Sequence, residues 1–214
     1  MLAIPKSSIR QFATHLTTSS LYPPKVIGIL GGLGPSAGLA LHKRIIQNTK
    51  SNLDQDHLPV LHSSFSSCIP DRSAFILHQS TFNPAYDAFN VLGTLVRASN
   101  FPETELFVGI PCSTFHSPVI FNEFLELSNT AYPGIHILNM VELTAEHISK
   151  VYPRIKKVGL LSTSGTRKSN VYGKTLEKYG LEIVQLEEEK QPLIHDVIYN
   201  PIWYVCCLLI CHYL

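Results

Sequence analysis

Residues 25–47 contain the feature that most constrains the fold, a strand pattern joined to a helix pattern through a glycine-rich turn. The run KVIGILG at Lys25–Gly31 is continuous and rich in apolar β-branched residues, which is typical of a parallel strand buried on both faces. Pro35 stands where the first turn of a helix tolerates proline, and the helix pattern continues over residues 37–47. This order of elements indicates a βαβ unit.

The same alternation of strand and helix patterns continues along the chain. Further strands are predicted at residues 58–65, 105–110, 135–138, 157–161 and 182–186. Helices are predicted at residues 84–98, 141–151, 167–179 and 191–199. Right-handed crossovers place the loops that follow parallel strands at one edge of the sheet. The predicted fold class is therefore α/β with parallel sheets.

Two segments resemble each other and indicate an internal duplication. The first reads KVIGILGGLGPSAGLALHKRI and the second reads KVGLLSTSGTRKSNVYGKTL, and each combines a strand, a turn of small residues and a helix. A duplicated half-domain explains this similarity. We therefore predict two similar α/β lobes, residues 25–133 and residues 134–200.

Composition excludes several classes of protein. The formal net charge is +1, so no excess of basic residues points to a nucleic-acid partner or an anionic membrane. Five cysteines at irregular spacing do not indicate a disulfide framework, and we expect them to be reduced in the cytoplasm. The histidines show no metal-ligand spacing, so no metal site is predicted, and the aromatic residues are assigned mainly to the core.

The two ends of the chain differ from its centre. Residues 1–24 contain Lys6 and Arg10 but no acidic residue, which is compatible with a disordered extension or with a weak organelle-targeting leader. Residues 201–214 form an apolar tail without amphipathic period or capping signal. A bilayer requires about 20 apolar residues, so no membrane span is predicted there.

The glycine-rich turn is compatible with three interpretations. Its backbone amides at a helix N-terminus can bind an anion. Gly32, Gly34 and Ala37 also match the dinucleotide pattern G-x-G-x-x-G/A, but that pattern needs an acidic residue at the end of the next strand. That strand ends in serines and Phe65, without an acid. The third interpretation is a tight turn in which glycines let the strand and the helix approach closely.

Cys112 is the most informative single residue. It follows a predicted strand and Pro111, and it precedes Ser113, Thr114 and His116. The carboxyl end of a parallel strand places such a thiol in the ligand crevice, and a helix starting near residue 117 would favour its thiolate form. A buried structural cysteine is the alternative. His116 is interpreted either as a residue that orients the Cys112 thiol or as part of the loop lining.

Four motifs resemble the signatures of the aspartate/glutamate racemase family when they are taken together. They occur in the order IGILGGLGPSAG, IPDRS, PCSTFH and LLSTSGT, and the resemblance covers residues 25–200. It implies two lobes around a cleft and catalysis without pyridoxal phosphate or another cofactor. It also implies one cysteine from each lobe, placed on opposite faces of the substrate Cα. The implied ligand is a small amino acid or dicarboxylate, and the implied assembly is a homodimer.

The resemblance assigns roles residue by residue. Cys112 is the expected acid or base of the first lobe, and Arg72 is expected to bind a side-chain carboxylate, with a solvated loop cation as its alternative. The expected contacts of the α-carboxylate are the hydroxyls of Ser113, Thr114, Thr163 and Thr166 and the backbone at Gly32. His195 lies on a predicted helix where related racemases can place an acid/base helper.

The chain departs from the family pattern in two places. The family usually has Asn after the first cysteine, where this chain has Ser113. The second cysteine normally lies in a Gly-Cys-Thr-Glu turn, and no such turn follows Asn200. The tail cysteines Cys206, Cys207 and Cys211 are not followed by a polar turn. We therefore expect an incomplete second lobe and impaired racemisation, with an inactive carboxylate-binding protein as the alternative.

Overall fold

The computed structural model describes residues 25–200. The predicted leader at residues 1–24 and the apolar tail at residues 201–214, with its three cysteines, lie outside the described residues. No helix within residues 25–200 is both long and apolar enough to cross a bilayer.

Parallel strands form two sheets, which confirms the predicted α/β class. The main sheet has the order β2-β1-β3-β4, and every neighbouring pair in it is parallel. Its strands are β1 (Lys25–Gly31), β2 (Val60–Ser64), β3 (Glu105–Gly109) and β4 (His136–Leu138). A second sheet consists of the parallel strands β5 (Lys157–Gly159) and β6 (Glu182–Val184).

Helices connect these strands. They are α1 (Pro35–Asn48), α2 (Arg72–Ile76), α3 (Pro84–Ser99), α4 (Pro118–Ala131), α5 (Met140–Val151), α6 (Ser164–Ser169), α7 (Gly173–Lys178) and α8 (Gln191–Tyr199). The helix predicted over residues 167–179 is two short helices, because Asn170 adopts a left-handed conformation with φ of 48° and ends α6. The motif IPDRS contains the start of α2, so Arg72 lies in the first turn of a helix, which is capped by the Asp71 carboxylate.

Strand β4 lies at the edge of the main sheet. The sequence repeat placed residues 135–138 in the second lobe, but Val108 of β3 is in register with Ile137 of β4. Ile135, which directly precedes this strand, is buried in the larger core. The boundary between the lobes as drawn from the sequence stays a prediction.

The two halves differ in the size of their cores. The larger cluster is built from β1, β3, α3 and α4, and includes the fully buried Leu30, Leu92 and Phe124. The smaller cluster, within the described residues, has Ala145, Leu176 and Leu181 as its buried members. Most of the apolar burial that stabilises the described fold therefore belongs to the first half.

The β1–α1 turn needs glycine at residue 32. Gly32 has φ of +87°, and a Cβ added there would lie 2.9 Å from the backbone nitrogens of Phe65 and Ser66. A side chain would therefore be strained by its own backbone and would collide with the loop after β2. The structure thus gives Gly32 the close-approach role that was one of its three interpretations.

We expect Gly32→Ala to lower the free energy of unfolding by about 1–3 kcal/mol, because it adds left-handed strain and a backbone collision. Urea denaturation of the purified protein measures this change. The control is Gly159→Ala, since nothing lies within 4 Å of a Cβ added at that position. Equal destabilisation by the two variants would contradict the packing argument.

Candidate functional site

A cavity of about 530 Å³ lies between the loops that follow β1, β3 and β5. Six of the predicted site residues line it: Arg72, Cys112, Ser113, Thr114, Thr163 and Thr166. The seventh, Gly32, is not among the lining residues, whereas Gly34 and Ala37 at the start of α1 are. The structure therefore brings together residues that are separated by as much as 94 positions along the chain, in a space suited to a small molecule.

Three threonine hydroxyls form a ring at one wall of the cavity. The Oγ1 atom of Thr114 lies 3.1 Å from Oγ1 of Thr163 and 2.8 Å from Oγ1 of Thr166, and the last two are 3.1 Å apart. Thr114 and Thr166 are buried. We call these three side chains the threonine ring. Because a hydroxyl both donates and accepts, the ring is satisfied when the cavity is empty and can turn O–H groups toward an anion.

The position of Thr163 is fixed by the start of α6. Its Oγ1 accepts the backbone N–H of Thr166 at 3.2 Å and the hydroxyl of Ser73 at 3.3 Å. With two donors directed at it, this oxygen keeps its own hydrogen for Thr114 or Thr166. The N-cap that starts α6 therefore also orients the threonine ring.

Ser113 lies beside the ring and contacts a tyrosine from the other half. Its Oγ is 2.9 Å from the hydroxyl of Tyr172, a residue that also lines the cavity. Tyrosines were predicted mainly for the core, and Tyr172 does pack against the smaller core cluster, but its hydroxyl also reaches the cavity wall. Tyr172 lies two residues after Asn170, whose left-handed conformation ends α6, and the helix pattern of the sequence did not indicate this break.

Arg72 is the one formally charged residue among those that line the cavity within the described part of the chain. Its Nη1 donates to the carbonyl of Pro70 at 3.1 Å, while its Nε is buried without a hydrogen-bond partner. A buried donor without an acceptor costs free energy, and an anion in the cavity would supply that acceptor. The guanidinium is thus suited to a carboxylate rather than to a neutral group.

Cys112 lies partly buried where β3 ends and the cavity begins. Its backbone N–H donates to the carbonyl of Ile110 at 2.8 Å, and its carbonyl lies 2.9 Å from Nδ1 of His116. The other ring nitrogen of His116 accepts the N–H of Met140 at 3.2 Å. His116 therefore donates from Nδ1 and holds the backbone of Cys112, which corresponds to its loop-lining interpretation.

Burial lowers the pKa of His116 from its ordinary value of 6.5, and hydrogen bonds to backbone groups at Cys112 and Leu138 oppose the shift. The neutral form agrees with Nε2 acting as an acceptor from Met140. His116 is therefore expected to be uncharged at neutral pH.

The last described helix borders the site from the second half. Ile198 and Tyr199 of α8 line the cavity, and the Tyr199 hydroxyl donates to Oδ2 of Asp71 at 3.0 Å. His195, one turn earlier, accepts the backbone N–H of Ser164 at Nδ1 with a distance of 3.2 Å and is not among the lining residues. The acid/base role suggested for His195 stays a prediction, while its observed contact is with the start of α6.

The dinucleotide interpretation gains no further feature from the structure. Strand β2 ends at Ser64, and the residues that follow it, Phe65 and Ser66, carry no carboxylate for a ribose. Within residues 25–200, no group of three or more His, Cys, Asp or Glu side chains is placed to hold a metal ion. The arrangement is best suited to carboxylate binding beside a thiol.

Comparison with known proteins gives consistent matches. Residues 30–201 match the family described as Asp/Glu/Hydantoin racemase. The fold is similar to that of Picrophilus torridus aspartate racemase, with 28% sequence identity and a TM-score of 0.66 over 82% of this chain and 69% of that chain. It is also similar to an aspartate racemase homologue from Pyrococcus horikoshii OT3, with 22% identity and a TM-score of 0.59 over 85% of this chain and 73% of that chain. At 22% identity, the similarity to the Pyrococcus horikoshii protein shows a shared fold alone.

The neutral, buried His116 makes stability depend on pH. Its pKa is lower in the folded protein than in the unfolded chain, so the unfolded state binds more protons as the pH falls. We expect the free energy of unfolding to decrease as the pH falls below about 6.5, and His116→Gln to weaken that dependence. Urea denaturation between pH 8 and pH 5 measures both.

His136→Gln, at an exposed position on β4, is the matched control. Burial also lowers the pKa of His62, with a contribution from His42, so a residual pH dependence is expected in the His116 variant. An identical pH dependence in wild type and His116→Gln would contradict this assignment.

Proposed function

The chain belongs to the Asp/Glu/hydantoin racemase family of isomerases, and from this we propose that it transfers protons at the Cα of an acidic amino acid without a cofactor. The observation that supports this proposal is the single cavity lined by the Cys112 thiol, the threonine ring and Arg72. These groups match the three requirements of the reaction, which are a base, donors for one carboxylate and a cation for a second carboxylate.

Cys112 acts as the base in the proposed mechanism. Its thiolate removes the proton from Cα, which breaks the C–H bond, forms the S–H bond and leaves the electron pair on the substrate as a carbanion. The same thiol can return a proton after exchange with solvent. The partly buried position of Cys112 at the cavity wall supports this role, since the thiol is accessible to a ligand and shielded on its other side.

The threonine ring and Ser113 bind the α-carboxylate in this proposal. As the carbanion forms, negative charge moves into that carboxylate, and donors fixed beforehand stabilise it most. The ring is fixed by its mutual hydrogen bonds and by the N-cap at Thr163. The N-terminus of α1, which reaches the cavity at Gly34 and Ala37, adds a favourable dipole for an anion.

Arg72 binds the second carboxylate in the proposal, and this would select aspartate or glutamate over neutral amino acids. The unpartnered Nε of Arg72 and its place at the cavity wall support this role. A guanidinium can donate two parallel hydrogen bonds to a carboxylate, which fixes both the position and the orientation of the substrate.

The second acid/base group determines whether the substrate is inverted. The other cysteine within residues 25–200 is Cys68, which is exposed after β2 and does not line the cavity. With Cys112 as the one cysteine at the described cavity wall, we expect exchange of the Cα proton with retention of configuration. The second candidate function is that of an inactive carboxylate-binding protein. It is favoured because the described cavity wall contains no second cysteine beside Cys112.

Three expectations from the sequence stay predictions beside this proposal. They are a cytoplasmic location, assembly as a homodimer and the incompleteness of the second lobe.

Proton NMR of L- and D-aspartate and L- and D-glutamate with the purified protein in D₂O tests the proposal. We expect deuterium to replace the Cα proton with retention of configuration, and Cys112→Ala to lower the exchange rate by at least about 100-fold, because general base catalysis is lost. Cys68→Ala is the matched control, since it removes the exposed thiol outside the cavity. Circular dichroism verifies that each variant is folded.

The outcomes separate the two candidate functions. Formation of the opposite enantiomer would show that a second acid/base group exists and would contradict the retention argument. Binding of succinate by a folded protein without exchange would favour the carboxylate-binding candidate. A folded protein that shows no succinate binding and no exchange of the Cα proton would contradict both candidate functions.

A further inference from the structure

Tyr199 forms a hydrogen bond to Asp71, the residue that precedes Arg72. Its hydroxyl donates to Oδ2 of Asp71 at 3.0 Å, across 128 positions of the chain. The other carboxylate oxygen of Asp71 accepts the backbone N–H of Ala74 at 2.7 Å and so caps α2. Arg72 is the first residue of that helix. One carboxylate therefore connects the end of α8 with the start of the element that presents the cavity's cation.

The helix that carries Tyr199 is also held at the opposite wall of the cavity. The Nε2 atom of Gln191 donates to the carbonyl of Ser162 at 2.9 Å, and Nδ1 of His195 accepts the N–H of Ser164 at 3.2 Å. The ring of His195 stacks on that of Tyr199 with centroids 4.5 Å apart. Gln191, His195 and Tyr199 are four positions apart and so lie on one face of α8. The first two contact the segment around Thr163, and Tyr199 contacts the turn that precedes Arg72.

We propose that Tyr199 is a positioning residue that fixes the Arg72 guanidinium relative to the threonine ring and thereby selects substrates with a second carboxylate. This inference rests on the proposed function, because it assigns Arg72 to that carboxylate. It adds a residue that none of the sequence motifs contains.

The geometry accounts for the selectivity. The described contacts of Arg72 fix one end of its guanidinium through the carbonyl of Pro70, and its Nε has no partner. Placement of the guanidinium therefore depends on the backbone turn from which it extends. That turn is held by Asp71, and Asp71 is held from outside its own helix by Tyr199. Loss of the phenol hydroxyl would loosen the site for the second carboxylate, while the mutual hydrogen bonds of the threonine ring, which do not involve Tyr199, would remain.

The Tyr199 hydroxyl remains a donor at neutral pH. Tyr199 is about half exposed, and its partial burial raises the pKa of its hydroxyl. The neighbouring Asp71 carboxylate raises this pKa further, while Ser73 and Arg72 oppose the shift. A protonated phenol beside a carboxylate makes a charge-assisted hydrogen bond, which is stronger than a neutral one.

The test compares Tyr199→Phe with Tyr86→Phe. Tyr86 is a matched control, because its hydroxyl also donates to a carboxylate at 3.0 Å, that of Glu123, at a position outside the cavity lining. Cα-proton exchange in D₂O is measured for L-aspartate and L-asparagine, and binding of succinate and butyrate is measured by NMR titration. Thermal unfolding of each variant is recorded in parallel.

We expect Tyr199→Phe to raise KM for aspartate and Kd for succinate by about 3- to 10-fold, in keeping with the loss of one hydrogen bond. The constants for asparagine and butyrate should change by less than about 2-fold, and Tyr86→Phe should change none of them. In an Arg72→Gln background, Tyr199→Phe should have no further effect on aspartate, because the group that it positions has been removed.

The outcomes distinguish this inference from the proposed function. Three outcomes would overturn the role of Tyr199 while wild-type exchange still supported the function. They are equal effects of Tyr199→Phe on aspartate and asparagine, no effect on either, and an effect that adds to that of Arg72→Gln. A wild-type protein that neither exchanges nor binds would overturn the function and this inference with it. If Tyr199→Phe fails to fold, Asp71→Asn serves instead, since asparagine still caps a helix but offers Tyr199 no charge.

Discussion

Hydroxyl groups from two halves of the fold meet in the threonine ring, which forms one wall of the cavity. Thr114 belongs to the turn after β3, and Thr163 and Thr166 belong to the start of α6 after β5. The residues that line the cavity come from both halves, so both are needed to enclose a ligand there. A polar contact at the junction also explains why the site can accept an anion, since an apolar junction of the same shape would exclude one.

The remaining contacts around the cavity support the ring on both sides. Ser73 connects the start of α2 to Thr163, Tyr172 connects α6 and α7 to Ser113, and Tyr199 connects α8 to Asp71. Each of these three hydrogen bonds has a side-chain hydroxyl as at least one of its two partners. Such bonds fix direction as well as distance, so the relative placement of thiol, hydroxyls and guanidinium is determined by the fold rather than by the ligand.

The sequence predicted the elements whose signals are local and missed those that depend on distant contacts. Strand β1 and the turn to α1 follow from a continuous apolar run and Pro35, and Cys112 from its place after a strand. The break at Asn170 was missed because asparagine also occurs within helices. Tyr172 and Tyr199 were missed for another reason: their partners are 59 and 128 positions away, and an aromatic residue alone indicates only the core.

The small core of the second half has a consequence for how a ligand would affect the protein as a whole. Its cluster of buried apolar residues within the described chain consists of Ala145, Leu176 and Leu181, while α6, α8 and the loop after β5 contribute groups that line the cavity. Local opening costs less free energy where few apolar residues are buried, so amide hydrogens of this half should exchange with solvent before those of the main sheet. A bound dicarboxylate would contact both halves at once and slow that exchange, which makes occupancy of the cavity part of what holds the smaller half in place.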